Sequence, residues 1–303
     1  MKAPQIRFSA DGPAASRLAL GAWRLADARL TREDIRALVH QALEAGITTI
    51  DHADIYGRHA CQRLFGDALA GDAALRDQMQ LVTKCGVKLI PATGSAQRVK
   101  YYDTSRAHIL ASVDDSLEAL RTDRVEMLLI HRSDPMLDPD EVAEAFEALK
   151  KAGKALHFGV SNFTPSQFDL LASRLPFGLV TNQLQFSVLH TSPLYEGTFD
   201  QCLRLRISPM AWSPLDGGRL LKEEDERARR VRRALGEVGR ELGGAAIEQV
   251  ALAWILAHPA RIIPIVGTTN RERLKSAAAA VGLSLSREQW FFILEASAGG
   301  PVP

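Results

Sequence analysis

Four side chains in this sequence have the types needed to hand a proton to a carbonyl oxygen. They are Asp51 and Tyr56 in GITTIDHADIYG, Lys84 in LVTKCG and His131 in EMLLIHRSDP. A free tyrosine, with a pKa of about 10, is a weak acid at neutral pH. A neighbouring ammonium favours the phenolate, and a carboxylate can hold that ammonium in place. On those grounds Lys84 is expected to draw the Tyr56 pKa down, with Asp51 anchoring Lys84 and His131 serving as a neutral donor to the carbonyl oxygen. The chemistry is general-acid delivery of a proton to an aldehyde or ketone.

Taken singly, each residue has a plainer reading. A strand-end aspartate commonly caps a helix, a lone lysine is usually solvated, and a histidine after Leu128, Leu129 and Ile130 is more often a satisfied core residue. Their coincidence at the ends of three successive β-rich runs is what favours chemistry.

Those runs belong to a longer pattern. Short β-rich segments fall at Arg17–Gly21, Ile47–Asp51, Gln80–Lys84, Glu126–His131, Leu156–Val160, Leu179–Gln183, Ile207–Ala211 and Ile262–Val266. Amphipathic helices lie between them. Thr31 with Asp34 makes a capping box before Ile35, Leu38, Val39 and Ala42, and Asp138-Pro139 and Thr164-Pro165 start two more. Gly46 and Gly153 stand where helices close. Alternating strands and helices imply a parallel sheet, and eight units imply an α/β fold of one (β/α)8 TIM barrel spanning residues 1–303. A doubly wound fold would want a Gly-rich phosphate loop after its first strand, and no G-x-G occurs among the 22 glycines. Two helices exceed the eightfold pattern. Glu223–Leu242 is charged, with an apolar stripe of Val231, Leu235, Val238 and Leu242; Arg287–Ala296 follows a Ser286 cap. The basic run around Arg229–Arg233 is offset by Glu223, Glu224, Asp225 and Glu226, which favours a solvated face over a polyanion site.

Composition narrows the function class. With 37 basic and 36 acidic side chains, nothing calls for a nucleic-acid partner. No apolar run approaches the roughly 20 residues of a membrane span, and MKAPQIRFSADGPAAS has no contiguous apolar segment, so neither membrane insertion nor a secretory leader is expected. Cys61, Cys85 and Cys202 are odd in number and widely spaced, as reduced cytoplasmic thiols would be. His52, His59 and Cys61 follow no ligand spacing, so no metal is expected.

In strand ends and loops alike, the chain resembles the aldo-keto reductase family, and it does so over essentially its whole length. The resemblance runs through LALGAWRL, GITTIDHADIYG, LVTKCG, LLIHRSDP, KALHFGVSNF, TNQLQFS, PMAWSPLDGGRL and IPIVGTTNRERL. The HADIYG variant and KYYDTSR are similar to a bacterial subgroup of poorly defined substrate. It implies that Asp51, Tyr56, Lys84 and His131 are the catalytic tetrad of an NAD(P)H-dependent, monomeric enzyme that reduces a small carbonyl compound. It further implies that Ser161, Asn162 and Gln183 hold the nicotinamide carboxamide and that the ring stacks on Trp212. Ser213, Leu215 and Gly218 would line the pyrophosphate path, and Thr268, Thr269 and Arg273 would take the 2′-phosphate of NADPH. Many members carry a lysine where this chain has Gly267; NADPH is preferred, with weaker discrimination against NADH. Trp23 follows the first strand and forms a wall of the pocket, Tyr101 and Tyr102 sit in a long specificity loop, and Arg132 either attracts an anionic substrate or forms a salt bridge. An alternative in a different class is a cofactor-binding, redox-sensing regulatory subunit with little turnover, since a fold alone does not fix function.

Overall fold

In the computed structural model, which describes residues 2–91 and 97–301, eight parallel strands close into a barrel. They are β1 (Ala19–Gly21), β2 (Thr49–Asp51), β3 (Gln80–Cys85), β4 (Val125–Ile130), β5 (Ala155–Ser161), β6 (Asn182–Gln185), β7 (Met210–Trp212) and β8 (Ile263–Val266). The ring is completed by β8 against β1, with Ile265 opposite Ala19 and Val266 opposite Leu20. Helices α1 (Arg32–Glu44), α2 (Ala60–Leu69), α3 (Arg106–Leu120), α4 (Pro139–Lys151), α5 (Pro165–Ala172) and α6 (Thr198–Leu205) cover the first six strands. The two expected extra helices are α7 (Glu226–Glu241) and α10 (Arg287–Ala298), flanking the outer helices α8 (Ile247–Leu256) and α9 (Arg271–Ala279).

The helix starts follow the local sequence. Thr31 and Thr164 form capping boxes with Asp34 and Gln167, and Asp138 accepts a hydrogen bond from Asp140 N–H ahead of α4. Gly46 and Gly153 take positive φ, +78° and +71°, just past α1 and α4. On α7, Arg229 and Arg232 pair with Glu224, and Arg230 reaches Glu226 and the Ala296 carbonyl. The basic run is thus tied up locally. A separate short helix, Arg219–Lys222, precedes the charged segment, which forms the single helix α7.

Strand bounds shift by up to three residues from those expected. In β7 the cause is Pro209, which has no N–H for the ladder, so regular pairing begins at Met210. Two hairpins were not anticipated. One pairs Gln5–Arg7 with Ala14–Ser16 and closes the barrel floor, where Phe8 is buried against Ala19, Val82, Met127, Met210 and Ile263. The other pairs Val87–Lys88 with Tyr101–Tyr102 in the loop after β3. At three and two residues per strand, neither has enough alternation to register in sequence.

The strand period of two places the chemistry. Met127 and Leu129 of β4, like Val82 of β3, face the barrel interior. Two residues on, the same faces carry His131 and Lys84 at the C-terminal rim. Leu128 and Ile130 point the other way, into the helix layer. On the outside, Trp254 of α8 and Trp290 of α10 stack at 4.8 Å and 7°, each indole N–H donating to the other's carbonyl at 3.0 Å. Among the described residues no helix is long and apolar enough to cross a membrane.

Candidate active site

Asp51, Tyr56, Lys84 and His131 meet at the rim. Lys84 is fully buried, and its Nζ donates to Asp51 Oδ2 at 2.8 Å, to the His52 carbonyl at 2.7 Å and to Tyr56 Oη at 2.9 Å. Three acceptors match the three protons of an ammonium. Tyr56 Oη–H has only a long contact to Asp51 Oδ2, 3.5 Å, so its proton is the loosely held member of the set. The Asp51 carboxylate is fixed from across the barrel by Gln183, whose Nε2 donates to Oδ1 at 2.8 Å. The two residues are 132 positions apart, and nothing in local sequence announces the pair.

Electrostatics differ from the expectation in one respect. Burial, and then the Asp51 carboxylate, hold the Tyr56 phenol well above its ordinary value instead of letting Lys84 draw it down. Lys84 is itself pushed down by burial, an effect that Asp51 opposes. The phenol therefore keeps its proton until negative charge develops beside it. Burial and the charges of Lys84, Arg132 and Lys100 hold His131 well below the usual imidazole range, and its Nδ1 is buried without a hydrogen-bond partner. It is therefore neutral at physiological pH and can still donate from one ring nitrogen to a carbonyl oxygen. Behind the tetrad, partly buried Asp54 accepts from Ser112 Oγ at 2.9 Å and is pushed up to about 6 by desolvation.

A cavity of about 290 Å³ opens over these groups, lined by Tyr56 and His131 and by Trp23, Ser161, Asn162, Gln183, Trp212, Ser213 and Gly267. Asn162, at φ +61°, donates to Ser161 Oγ at 2.7 Å and accepts from Trp212 Nε1 at 3.0 Å. With Gln183 Nε2 engaged by Asp51, its Oε1 is the part of that amide left for a ligand. An indole face, an amide and a hydroxyl on one wall are a donor set that fits a nicotinamide ring and its carboxamide. The remaining expected cofactor residues lie outside this cavity. The Leu215 side chain packs onto the core near α7, so only its backbone is available. Gly218, at φ +98°, lies in the next turn, and Arg24 donates to the neighbouring Gly217 carbonyl at 3.2 Å. Thr268 and Thr269 are half-buried; Arg273 is exposed on α9, has no carboxylate partner among the described residues and gives its backbone N–H to the Asn270 cap at 3.0 Å.

Gly267 has a steric explanation. A Cβ there would stand 2.5 Å from Trp23 Nε1, so the absent side chain is the space the indole occupies. Of the two readings for Arg132, a salt bridge is not found among the described residues; its guanidinium lies over the Trp212 ring, 5.4 Å from the centroid. His52 is buried edge-on against Phe65 at 4.6 Å, and among the described residues no group of three or more His, Cys, Asp or Glu is placed to hold a metal ion.

Residues 17–297 match the model of the aldo/keto reductase family. The oxidoreductase YcsN of Bacillus subtilis is 48% identical over 95% of this chain and 96% of its own. Escherichia coli oxidoreductase YdhF is 45% identical over 99% of both. A 6-dehydroglucose reductase of Agrobacterium fabrum is 41% identical over 95% of this chain and 96% of its own. In fold, the chain matches a solved thermostable aldo-keto reductase, Tm1743 in complex with the inhibitor epalrestat, with a TM-score of 0.82 at 24% identity, covering 97% of this chain and 99% of that one. By sequence, barrel and site together, the chain belongs to the aldo-keto reductase family.

Proposed function

We propose that this oxidoreductase acts as one barrel domain that reduces an aldehyde or ketone to an alcohol, preferring NADPH and accepting NADH. The observation that carries this is the hydrogen-bonded set Asp51–Lys84–Tyr56 opening, beside a neutral His131, on a cavity walled by Trp212 and Asn162. A bound reduced nicotinamide supplies the hydride. The chain's own residues do the rest. His131 donates to the carbonyl oxygen and orients it. Tyr56 gives its proton to that oxygen as the carbonyl carbon accepts the hydride, so one O–H bond breaks and another forms. Lys84, 2.9 Å from Tyr56 Oη, stabilises the phenolate left behind, and Asp51 keeps Lys84 charged. A positioned general acid of this kind contributes roughly 10²–10⁴ in rate. Ser161, Asn162 and Gln183 would hold the carboxamide, and Thr268, Thr269 and Arg273 the far phosphate. The name of the 6-dehydroglucose reductase fits a carbonyl substrate.

A cofactor-sensing subunit, the other class, would need no proton donor ordered in this way. Single-turnover NADPH oxidation with a reactive aromatic aldehyde separates the two. Rapid oxidation by the wild type and none by Tyr56→Phe, at equal NADPH affinity, supports the reductase. A wild type that binds NADPH but oxidises it with no member of a carbonyl panel sinks it.

A further inference from the structure

Two carboxyl groups lie near Lys84, and the fold treats them differently. Asp51 has both oxygens engaged, Oδ1 by Gln183 Nε2 and Oδ2 by Lys84 Nζ, each at 2.8 Å. Asp54 is outside the cavity wall and turns its carboxyl towards α3, where Oδ2 accepts from Ser112 Oγ at 2.9 Å. Its Oδ1 is buried without a hydrogen-bond partner among the described residues. Its backbone N–H donates to the Lys84 carbonyl at 3.0 Å, which holds this loop against β3. A carboxylate with one oxygen buried and unsupported is costly to ionise.

The groups that face Asp54 are few. From β3 come Lys84 and Cys85, from its own loop the Ile55 N–H and His59, and from α3 Ser112, which does not ionise. Desolvation raises Asp54 to about 6 against the pull of Ser112, Ile55, His59 and Lys84. Lys84, pushed down by burial, is supported first by Asp51 and then by Asp54, so the Asp54 and Lys84 charges act on each other. The other buried groups nearby keep their charge across that range. Burial holds His52 at about 3 and His131 well below the imidazole range, and it holds the Cys85 thiol and the Tyr56 phenol well above theirs.

We propose that Asp54 is a positioning residue that acts through Lys84, speeding proton delivery by Tyr56 when its own carboxyl is protonated and slowing it when ionised. Reduction turns the Tyr56 phenol into a phenolate that the Lys84 ammonium must stabilise across 2.9 Å. An ionised Asp54 shares the field of that ammonium and adds like charge beside the developing phenolate; a protonated one does neither. Asp54 takes no part in the transfer itself. This assignment rests on the carbonyl-reductase reading.

The test is the profile, from pH 5 to pH 8, of single-turnover NADPH oxidation with 4-nitrobenzaldehyde. Beside it runs the infrared C=O band of the Asp54 carboxylic acid, identified by its loss in Asp54→Asn. In the wild type the rate should fall about three- to tenfold as that band disappears near pH 6. Asp54→Asn should keep the acid-side rate up to pH 8. Ser112→Ala should carry the rate midpoint and the band together to higher pH, by about half a unit, and His59→Gln should retain the fall. A fall that survives in Asp54→Asn, or a band that titrates while the rate stays flat, overturns the proposal. Lys84→Met is read without turnover: the band midpoint should rise by about one pH unit, and an unmoved midpoint in the folded variant also overturns it. A wild type that reduces no member of a carbonyl panel, with the midpoint still tied to Lys84, removes the reductase reading and keeps the coupling.

Discussion

The two ends of the site are built in opposite ways. At the reacting end, polar atoms are already committed to each other: Lys84 Nζ has three acceptors, and Asp51 is held from β3 and from β6. These groups project from strands of a closed barrel and are buried. At the proposed phosphate end, Thr268, Thr269 and Arg273 sit on a loop and a first helical turn, and Arg273 is exposed and without a carboxylate partner among the described residues. The difference teaches where orientation comes from. A proton donor must be aimed before the substrate arrives, because misplacement raises the barrier directly. A phosphate grip needs charge and free donors, and it can close around its ligand.

Variants can break or sharpen this contrast. The largest effect is expected from Tyr56→Phe, which should lower the single-turnover reduction rate by about 10²–10⁴ while leaving NADPH affinity within about twofold; loss of both together would mean the phenol is a structural prop. Next comes Lys84→Met, which strands the buried Asp51 carboxylate. Chemical denaturation should show a loss of about 3–5 kcal/mol, and much of it should return in the Asp51→Asn/Lys84→Met double variant. At the other end, Arg273→Ala should weaken NADPH binding about 10–100-fold and spare NADH, with stability unchanged, by the worth of one charge-assisted contact. A drop in stability there would erase the contrast.

Asp54 offers a smaller, pH-dependent test. Its native pKa, raised to about 6 from 3.8, means that the folded state holds a proton the unfolded chain has lost. Its contribution therefore favours the fold most below about pH 4, declines as pH rises towards 6, and is flat above that. Asp54→Asn should reduce the stability lost between pH 5 and pH 7.5 by about 1 kcal/mol, read from denaturant midpoints at the two pH values. Smallest in stability, within about 1 kcal/mol, is Gly267→Ala. It should displace Trp23, which is 43% exposed and free to swing, and so alter KM for the carbonyl compound more than the affinity for cofactor.

The barrel and the tetrad were legible because both follow from periodicity. Strands that alternate every two residues and end in Asp51, Lys84 and His131 must raise those side chains at one rim. What escaped depends on distance across the barrel or on volume. Gln183 could be expected to bind a ligand, yet only closure brings β6 opposite β2 and commits its amide nitrogen to Asp51. Gly267 read as a missing positive charge; the reason for it is an indole that arrives from the loop after β1. The Tyr56 pKa was misjudged for a related reason: residue types reveal Lys84, but burial and the proximity of Asp51 belong to the folded state. Floor and loop hairpins of two or three residues are below the length at which a pattern exists.

The tryptophans divide along the same line, with an optical consequence. Of four indoles, Trp23 and Trp212 line the cavity, while Trp254 and Trp290 form the closed pair between α8 and α10. Emission from the first pair should answer to a ring entering the site, and emission from the second should change only when the C-terminal helix lets go. One fluorescence titration therefore contains both a reporter and its internal reference: partial quenching to a plateau reads occupancy, and a red shift of the residual signal reads unfolding.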